Sequence, residues 1–387
     1  MNTFHPRLGR IERLSVLAVA PLGWLSFLGL PYELTTITSG FGASESTAGW
    51  IVSAELLMLT AFAVLAGRSI EAQDKRILTL AGVVLAIVGA TISILFDSLP
   101  MFIFARLIIG AGLGIVTAAT NALPAMFSQP EKTYAQIVMT IALMFAALMY
   151  LVPAVIALTG PKGFEIVELL TLVILGGLSF GLPRAKLKPT SMTSVTSLER
   201  MPRGVIYVLV SIFALFASQA VSWTFSEAAA HIVHLSDKEI TTTFTVLALS
   251  QMPAAMLAAA LGMRLGYRLP LTISLLLLVA ACLGIYNIPS RWTFIPSAIA
   301  VSAIAAFTFP YLQALIAELD DSGRSAAVGG AVVNLGAAAG PAIGGVFYAL
   351  GGLPFVGLTA AGLVAVCLGL ALGAVRHRKE ARHMALV

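Results

Sequence analysis

The sequence predicts an all-α integral membrane protein, with twelve transmembrane helices in two pseudo-symmetric six-helix bundles. Three observations carry this expectation. Of the 387 residues, 59% are hydrophobic and only 11% are charged, with a mean hydropathy of +0.96; a water-soluble domain carries about 25% charged residues. The apolar residues come in continuous runs of roughly twenty, the length at which a helix crosses a ~30 Å hydrocarbon core. One long polar connection divides those runs into six and six.

The first run, Leu14–Ser39, follows Arg7, Arg10 and Arg13. Its Ala18-Val19-Ala20 looks like a signal-peptide cleavage site, yet only Leu14–Leu17 would precede it as an apolar core, and the run continues well past it. It reads as a first transmembrane helix. Thr47–Ala66, Ile77–Phe96, Leu99–Phe127, Tyr134–Leu158 and Phe164–Leu182 complete the first six. Pro183–Arg203 (PRAKLKPTSMTSVTSLERMPR) is rich in Pro, Ser, Thr and basic residues and has no apolar periodicity, which is linker composition. Gly204–Glu227, Ile240–Met263, Leu269–Ile288, Trp292–Ile316, Ala326–Leu350 and Pro354–Val375 supply the second six. The expected division is therefore 1–183, a linker at 184–203, and 204–387. A strand barrel is excluded because the runs are continuous rather than alternating.

Charge sets the orientation. With both termini inside, only Lys162, Lys238 and Arg291 fall outside and Arg106 lies within a helix; the other 19 of the 23 basic residues are on inside segments. Both termini and the linker are accordingly expected in the cytoplasm, with the chain in a plasma membrane of the bacterial inner-membrane kind. The net charge of +5 then reflects anionic lipid head groups rather than nucleic acid. Cys282 and Cys367 fall inside helices and imply no disulfide framework. His231-Ile-Val-His234-Leu-Ser-Asp237-Lys-Glu239 holds four possible metal ligands, but nothing fixes the carboxylates relative to the histidines, so it reads as a solvated outside loop and no metal is assigned. No nucleophile–base pattern or phosphate loop appears. The chain is not expected to be an enzyme, and no cofactor is assigned.

One loop motif repeats between the halves, and two further motifs lie inside single runs. Gly67-Arg68-Ser69-Ile70-Glu71-Ala72-Gln73-Asp74-Lys75-Arg76 joins the second and third runs, and a degenerate copy, Arg264-Leu265-Gly266-Tyr267-Arg268, follows the eighth. The fourth run holds Arg106-Leu107-Ile108-Ile109-Gly110-Ala111-Gly112, and the eleventh Gly336-Ala-Ala-Ala-Gly340-Pro341-Ala-Ile-Gly344-Gly345. With the layout of six helices, basic linker and six helices, these make the sequence resemble the major facilitator superfamily across its whole length. That resemblance implies a loop motif G-x-L-A-D-R-x-G-[RK]-[RK], which Gly67, Lys75 and Arg76 match, Glu71 approximates, and Ala72 and Asp74 depart from. It implies that Glu71, Lys75, Arg76, Arg264, Gly266 and Arg268 belong to a gate whose ion pairs lock one conformation; the plain alternative is a merely positive inside loop. It also implies the fourth-helix pattern R-x-x-x-G-x-G, here with Ile109 where Gln is common. The family's proton-driven exporters carry G-x-x-x-G-P-x-x-G-G in the fifth helix, where this chain keeps only Val152-Pro153. Gly110, Gly336, Gly340, Pro341 and Gly344 are read as helix-packing positions, with a proline-weakened bend at Pro341.

The segment LGWLSFLGLPYELTT (22–36) carries Glu33 near its end, with no basic residue near it in sequence. At 1.5 Å per residue Glu33 lies about 9 Å below the outer edge, Glu55 about 12 Å and Arg106 about 10.5 Å. A charge facing lipid costs at least ~2.5–3.5 kcal/mol, so these three should face the bundle interior or a wet cavity. Two carboxylates flanking one guanidinium can share a proton whose affinity depends on the distance of Arg106. The alternative is a static interhelical ion pair or, for Glu33, an interfacial residue near a helix end. The repeat offset of roughly 192–195 residues, read from the two loop motifs, sets Glu33 opposite a window holding Glu227, either a second cavity carboxylate or ordinary loop chemistry. Trp24, Tyr32, Asn121, Trp223, Gln251 and Asn334 are candidate cavity liners, with packing or belt roles as the alternative.

The sequence therefore points to a secondary active transporter, proton-coupled, exporting a small amphipathic or cationic organic molecule by alternating access. Its 13 methionines suit adaptable apolar walls. The expected partners are a small-molecule substrate, protons and the lipid bilayer, with no nucleic acid, and the chain is expected to be monomeric. Uptake of an organic anion bound by Arg106 is the alternative within transport; a transport-inactive sensor or receptor is the alternative of another class.

Overall fold

The computed structural model of the protein describes residues 9–69, 74–124, 127, 130–183, 202–320 and 324–384. Glu71 of the loop motif and linker residues 184–201 lie outside the described residues. All regular structure among the described residues is helical. Among the described residues, eleven helical segments are long and apolar enough to cross a membrane. The last, Val328–His377, has 50 residues and would run about 75 Å if unbroken, more than twice a hydrocarbon core. It is two helices: Gly351 and Gly352 leave helical geometry, Gly352 with φ +67, which only glycine adopts readily, and Pro354 follows. Twelve spans result among the described residues. Large apolar side chains such as Leu57, Val84, Met256, Leu276 and Leu277 stand exposed on the helices. Together with closed helical backbone bonding, that surface is built for lipid. The protein is a multi-pass membrane protein.

The chain divides into two compact units. One comprises the described residues within Met1–Ala43 and Ala54–Met192, the other those within Ser44–Ser53 and Thr193–Val387.

In the first unit, α1 (Arg10–Val19) tightens into a 3₁₀ segment at Ala20–Trp24, opened by Pro21, which has no N–H for an α-helical ladder. After α2 (Leu25–Thr35) the chain widens into a π-helical turn at Thr36–Gly40. The single helix expected over Leu14–Ser39 is thus a composite span that departs from α winding twice. α3 (Glu45–Ser69) follows, its first turns grouped with the second unit. α4 (Lys75–Leu95) is capped by Asp74, whose carboxylate accepts from Arg76 N at 2.9 Å. α5 (Leu99–Ala122), α6 (Pro130–Thr159) and α7 (Gly163–Gly177) complete the unit. The glycines of α5 set its neighbours. Gly110 and Gly114, four apart, share one face and meet the Glu55 and Leu59 carbonyls of α3. Gly112, half a turn away, meets α4, where an added Cβ would sit 2.6 Å from Ala86 N. α5 is wedged between two helices that only hydrogen side chains allow this close.

In the second unit, α8 (Arg203–Thr224) is buried along much of its length and is followed by the short α9 (Ser226–Ile232). α10 (Asp237–Leu261) starts from a capping box in which Ser236 and Glu239 satisfy each other's backbone N–H groups. α11 (Arg268–Tyr286), α12 (Arg291–Leu319) and the broken α13 (Arg324–Met384) follow. Gly336, Gly340 and Gly344, spaced by four, lay one face of α13 on α8. An added Cβ would lie 2.6 Å from Phe213 O at Gly336, 2.8 Å from Ala217 O at Gly340, and 2.6 Å from the Phe225 ring at Gly344.

Candidate functional site

Four helices of the first unit each bring one charged side chain to a common point: Glu33 from α2, Glu55 from α3, Arg106 from α5 and Glu168 from α7, all fully buried. Local sequence explains the convergence. Arg106 stands one turn before Gly110, on the face of α5 that touches α3, and so reaches Glu55. Gly29 stands one turn before Glu33 and leaves room for the Phe164 ring against α2. Phe164 in turn precedes Glu168 by one turn of α7. Its ring centre lies 5.8 Å from Arg106 Cζ, and Tyr32 stacks on it at 6.3 Å. One arginine is thereby enclosed by three carboxylates and an aromatic ring.

The hydrogen bonding is crowded. Arg106 Nε donates to Glu33 Oε1 at 3.0 Å and to Glu55 Oε2 at 2.7 Å. Nη2 donates to Glu33 Oε2 and Glu55 Oε1, each at 3.0 Å. Nη1 donates to Glu168 Oε2 at 2.5 Å. A guanidinium Nε carries one hydrogen, so two carboxylates compete for it along the same fork. Ser26 Oγ donates to Glu55 Oε1 at 2.5 Å and anchors that carboxylate further.

Of the residues singled out by sequence, Glu33, Glu55 and Arg106 come into direct contact. Glu168 is an addition, as is Glu165, fully buried three residues before it. The signal that marks Glu33 and Glu55, a carboxylate inside an apolar run, applies equally to both in FEIVELL (164–170). Glu227 lies in the second unit, half-buried in the first turn of α9. Trp24 is half-buried and edge-on to Phe27 at 6.0 Å. Tyr32 is buried, its hydroxyl donating to Met149 Sδ at 3.7 Å, which makes it part of the core behind Phe164. Asn121 is exposed in the last turn of α5, about 22 Å along the helix from Arg106. Trp223 is buried edge-on to Phe244 at 5.1 Å, and Gln251 and Asn334 are half-buried.

Gly67 has open space around it, Lys75 is buried in the first turn of α4, and Arg76 lies 5.9 Å from the Phe180 ring. Arg264 and Arg268 are exposed on either side of Gly266, which turns the chain at φ +64. In the histidine-containing loop, Glu239 is engaged by Ser236 and Arg291. Among the described residues no group of three or more His, Cys, Asp or Glu is set to hold a metal ion.

The sequence profile of the Major Facilitator Superfamily matches residues 16–206 and again residues 207–384. No curated protein matches the sequence. Among solved structures the chain is similar to the nucleoside transporter NupG, crystallised as a point mutant, with a TM-score of 0.75 at 13% identity over 94% of this chain and 99% of that one. It is also similar to a bacterial homolog of the human lysosomal transporter Spinster, solved inward-facing and occupied, with a TM-score of 0.69 at 12% identity over 95% and 98%. At such identities the likeness is one of fold.

Proposed function

The chain belongs to the Major Facilitator Superfamily, and from that premise we propose that it is a proton-coupled secondary transporter exporting a small amphipathic or cationic organic molecule by alternating access. The observation that carries the proton part is the excess of carboxylates around Arg106. One guanidinium balances one ionised carboxylate. Three ionised carboxylates would leave two uncompensated charges in a low-dielectric interior, which a folded protein does not retain. Charge balance therefore leaves two protons among the three. Glu33 and Glu55, held on one fork, are where a proton is gained or lost as Arg106 shifts between that fork and Glu168.

The reading in which Arg106 takes up a substrate carboxylate has less support, because its Nε, Nη1 and Nη2 groups are already occupied by three glutamates. The acidic cluster, with 13 methionines in the chain for adaptable apolar packing, favours cationic or amphipathic cargo. Within this proposal residues 1–183 and 204–387 are the two bundles, the linker and both termini are cytoplasmic in a plasma membrane of the bacterial inner-membrane kind, and the protein works as a monomer. Glu227 is a second-bundle carboxylate open to the same role, and Trp24, Trp223, Gln251 and Asn334 are the candidates for contact with cargo.

The test uses ligands found by thermal shift on purified protein. In proteoliposomes, counterflow of such a ligand is expected for the wild type, and its absence would favour the sensor reading. Glu33→Gln keeps size and hydrogen-bonding capacity but cannot titrate. It should keep binding and counterflow and lose accumulation driven by a proton gradient; full accumulation by this variant would remove Glu33 from the coupling.

A further inference from the structure

Glu165 has no part in the arginine cluster as described, yet its environment is unusual. It is fully buried, and neither carboxyl oxygen has a hydrogen-bond partner. The three-residue spacing places it on the same face of α7 as Glu168, about 4.5 Å further toward the α6–α7 turn. Glu168 itself is only half engaged: Oε2 accepts from Arg106, while Oε1 has no partner. One face of α7 thus carries, in order, an unengaged carboxyl, a half-engaged carboxyl and the guanidinium.

The surroundings narrow what Glu165 can do. The charged groups acting on it are Arg106 from α5 and Glu168 from its own helix. Glu33 and Glu55 are held on the Nε/Nη2 edge of the guanidinium. Lys162 is bonded to Asp97 and to the Ile94 and Phe96 carbonyls. Lys75 and Arg76 open α4 at the opposite end, with Arg76 beside Phe180. Thr36 is the polar neighbour from the first span, but its one hydroxyl proton is donated to Pro161 O at 2.8 Å. That bond ties the π-helical turn at Thr36–Gly40 to the α6–α7 turn, where Gly160 sits at φ +81. π-helical turns interrupt the regular ladder and recur at functional sites. An ionised carboxylate with no donor in such a place is costly, so it stays neutral until water or Arg106 reaches it.

We infer that Glu165 is a proton-relay residue, carrying protons between the Thr36–Pro161 end of the first unit and Oε1 of Glu168. This rests on the proton-coupled reading above. Resting neutral, Glu165 gives its own proton to Glu168 Oε1 by rotation of the side chain or through one intervening water, and a proton arriving from water then reprotonates the ionised Glu165. Glu168, once neutral, holds Arg106 less tightly and frees it toward the Glu33/Glu55 fork.

Infrared spectroscopy of purified, reconstituted protein tests this without a known substrate, because protonated carboxylic acids give a C=O band separate from carboxylates and amides. Glu165→Gln should remove one such band, one that in the wild type shifts in D₂O and titrates with pH. Glu165→Asp should restore a titrating band at an altered frequency, and it serves as the probe if the glutamine variant does not fold. Bands unchanged by either substitution, or a Glu165 band that neither exchanges nor titrates, would overturn the relay. Glu33→Gln separates the two readings. If it alters the carboxylic bands and Glu165→Gln does not, only the relay fails; if neither alters them, proton coupling at this cluster fails as well.

Discussion

Arg106 is the residue on which the first unit's electrostatics turn, because it is the positive charge shared by Glu33, Glu55 and Glu168. Removing one partner of a buried ion pair costs about 3–5 kcal/mol when the other charge is left uncompensated. Carboxylates can escape part of that cost by taking protons. Arg106→Met should therefore lower the Tm of the purified protein, and the loss should shrink as pH falls and grow as pH rises. Adding Glu33→Gln to Arg106→Met should recover part of the loss at high pH, because one fewer carboxylate must be neutralised; a double variant no more stable than the single one would show that Glu33 is not charged there. Sequence alone placed Glu33, Glu55 and Arg106 at matching depth, since helical rise converts position into depth. It could not orient them. Which face of each helix turns inward depends on helix rotation, and that is set by glycines such as Gly29 and Gly110 meeting partners far away in sequence.

At the scale of single elements, the glycine faces make the sharpest contrast. Gly340 of α13 meets backbone and Cβ atoms of α8, which cannot rotate away. Gly340→Leu should destabilise the protein by about 1–3 kcal/mol or more and impair transport. Gly362, beyond the Gly351–Gly352 break, has nothing within 4 Å of an added Cβ, so Gly362→Ala should stay within ~1 kcal/mol of wild type. Equal Tm values for the two variants would show that close approach to α8 is incidental. Span positions were legible because twenty apolar residues in a row leave few alternatives. The winding changes inside the first span were not, since Pro21 and Pro31 mark where an α ladder weakens without saying whether the chain tightens to 3₁₀, kinks or widens to π.

For the whole molecule, the distribution of basic residues yields a topology that can be measured directly. Single cysteines at Ser191 in the linker and Ser236 before α10 should react with a membrane-impermeant maleimide from opposite sides. The native thiols, Cys282 and Cys367, are buried and should contribute little background. Labelling of both positions from the same side would overturn the placement of the termini and linker in the cytoplasm.

By itself the sequence determined the solvent of this protein, its twelve spans and its superfamily, because hydropathy, run length and short loop motifs are local properties that survive without knowledge of contacts. Only the tertiary structure decided which buried charges meet. Glu33 and Arg106 are 73 residues apart and Arg106 and Glu168 are 62 apart, and no local rule links such positions. Their contact follows from α5 being pressed between α3 and α4 by Gly110, Gly112 and Gly114, and from Phe164 seating α7 against Gly29. The carboxylates converge on one guanidinium because, away from water, each has no better partner within reach.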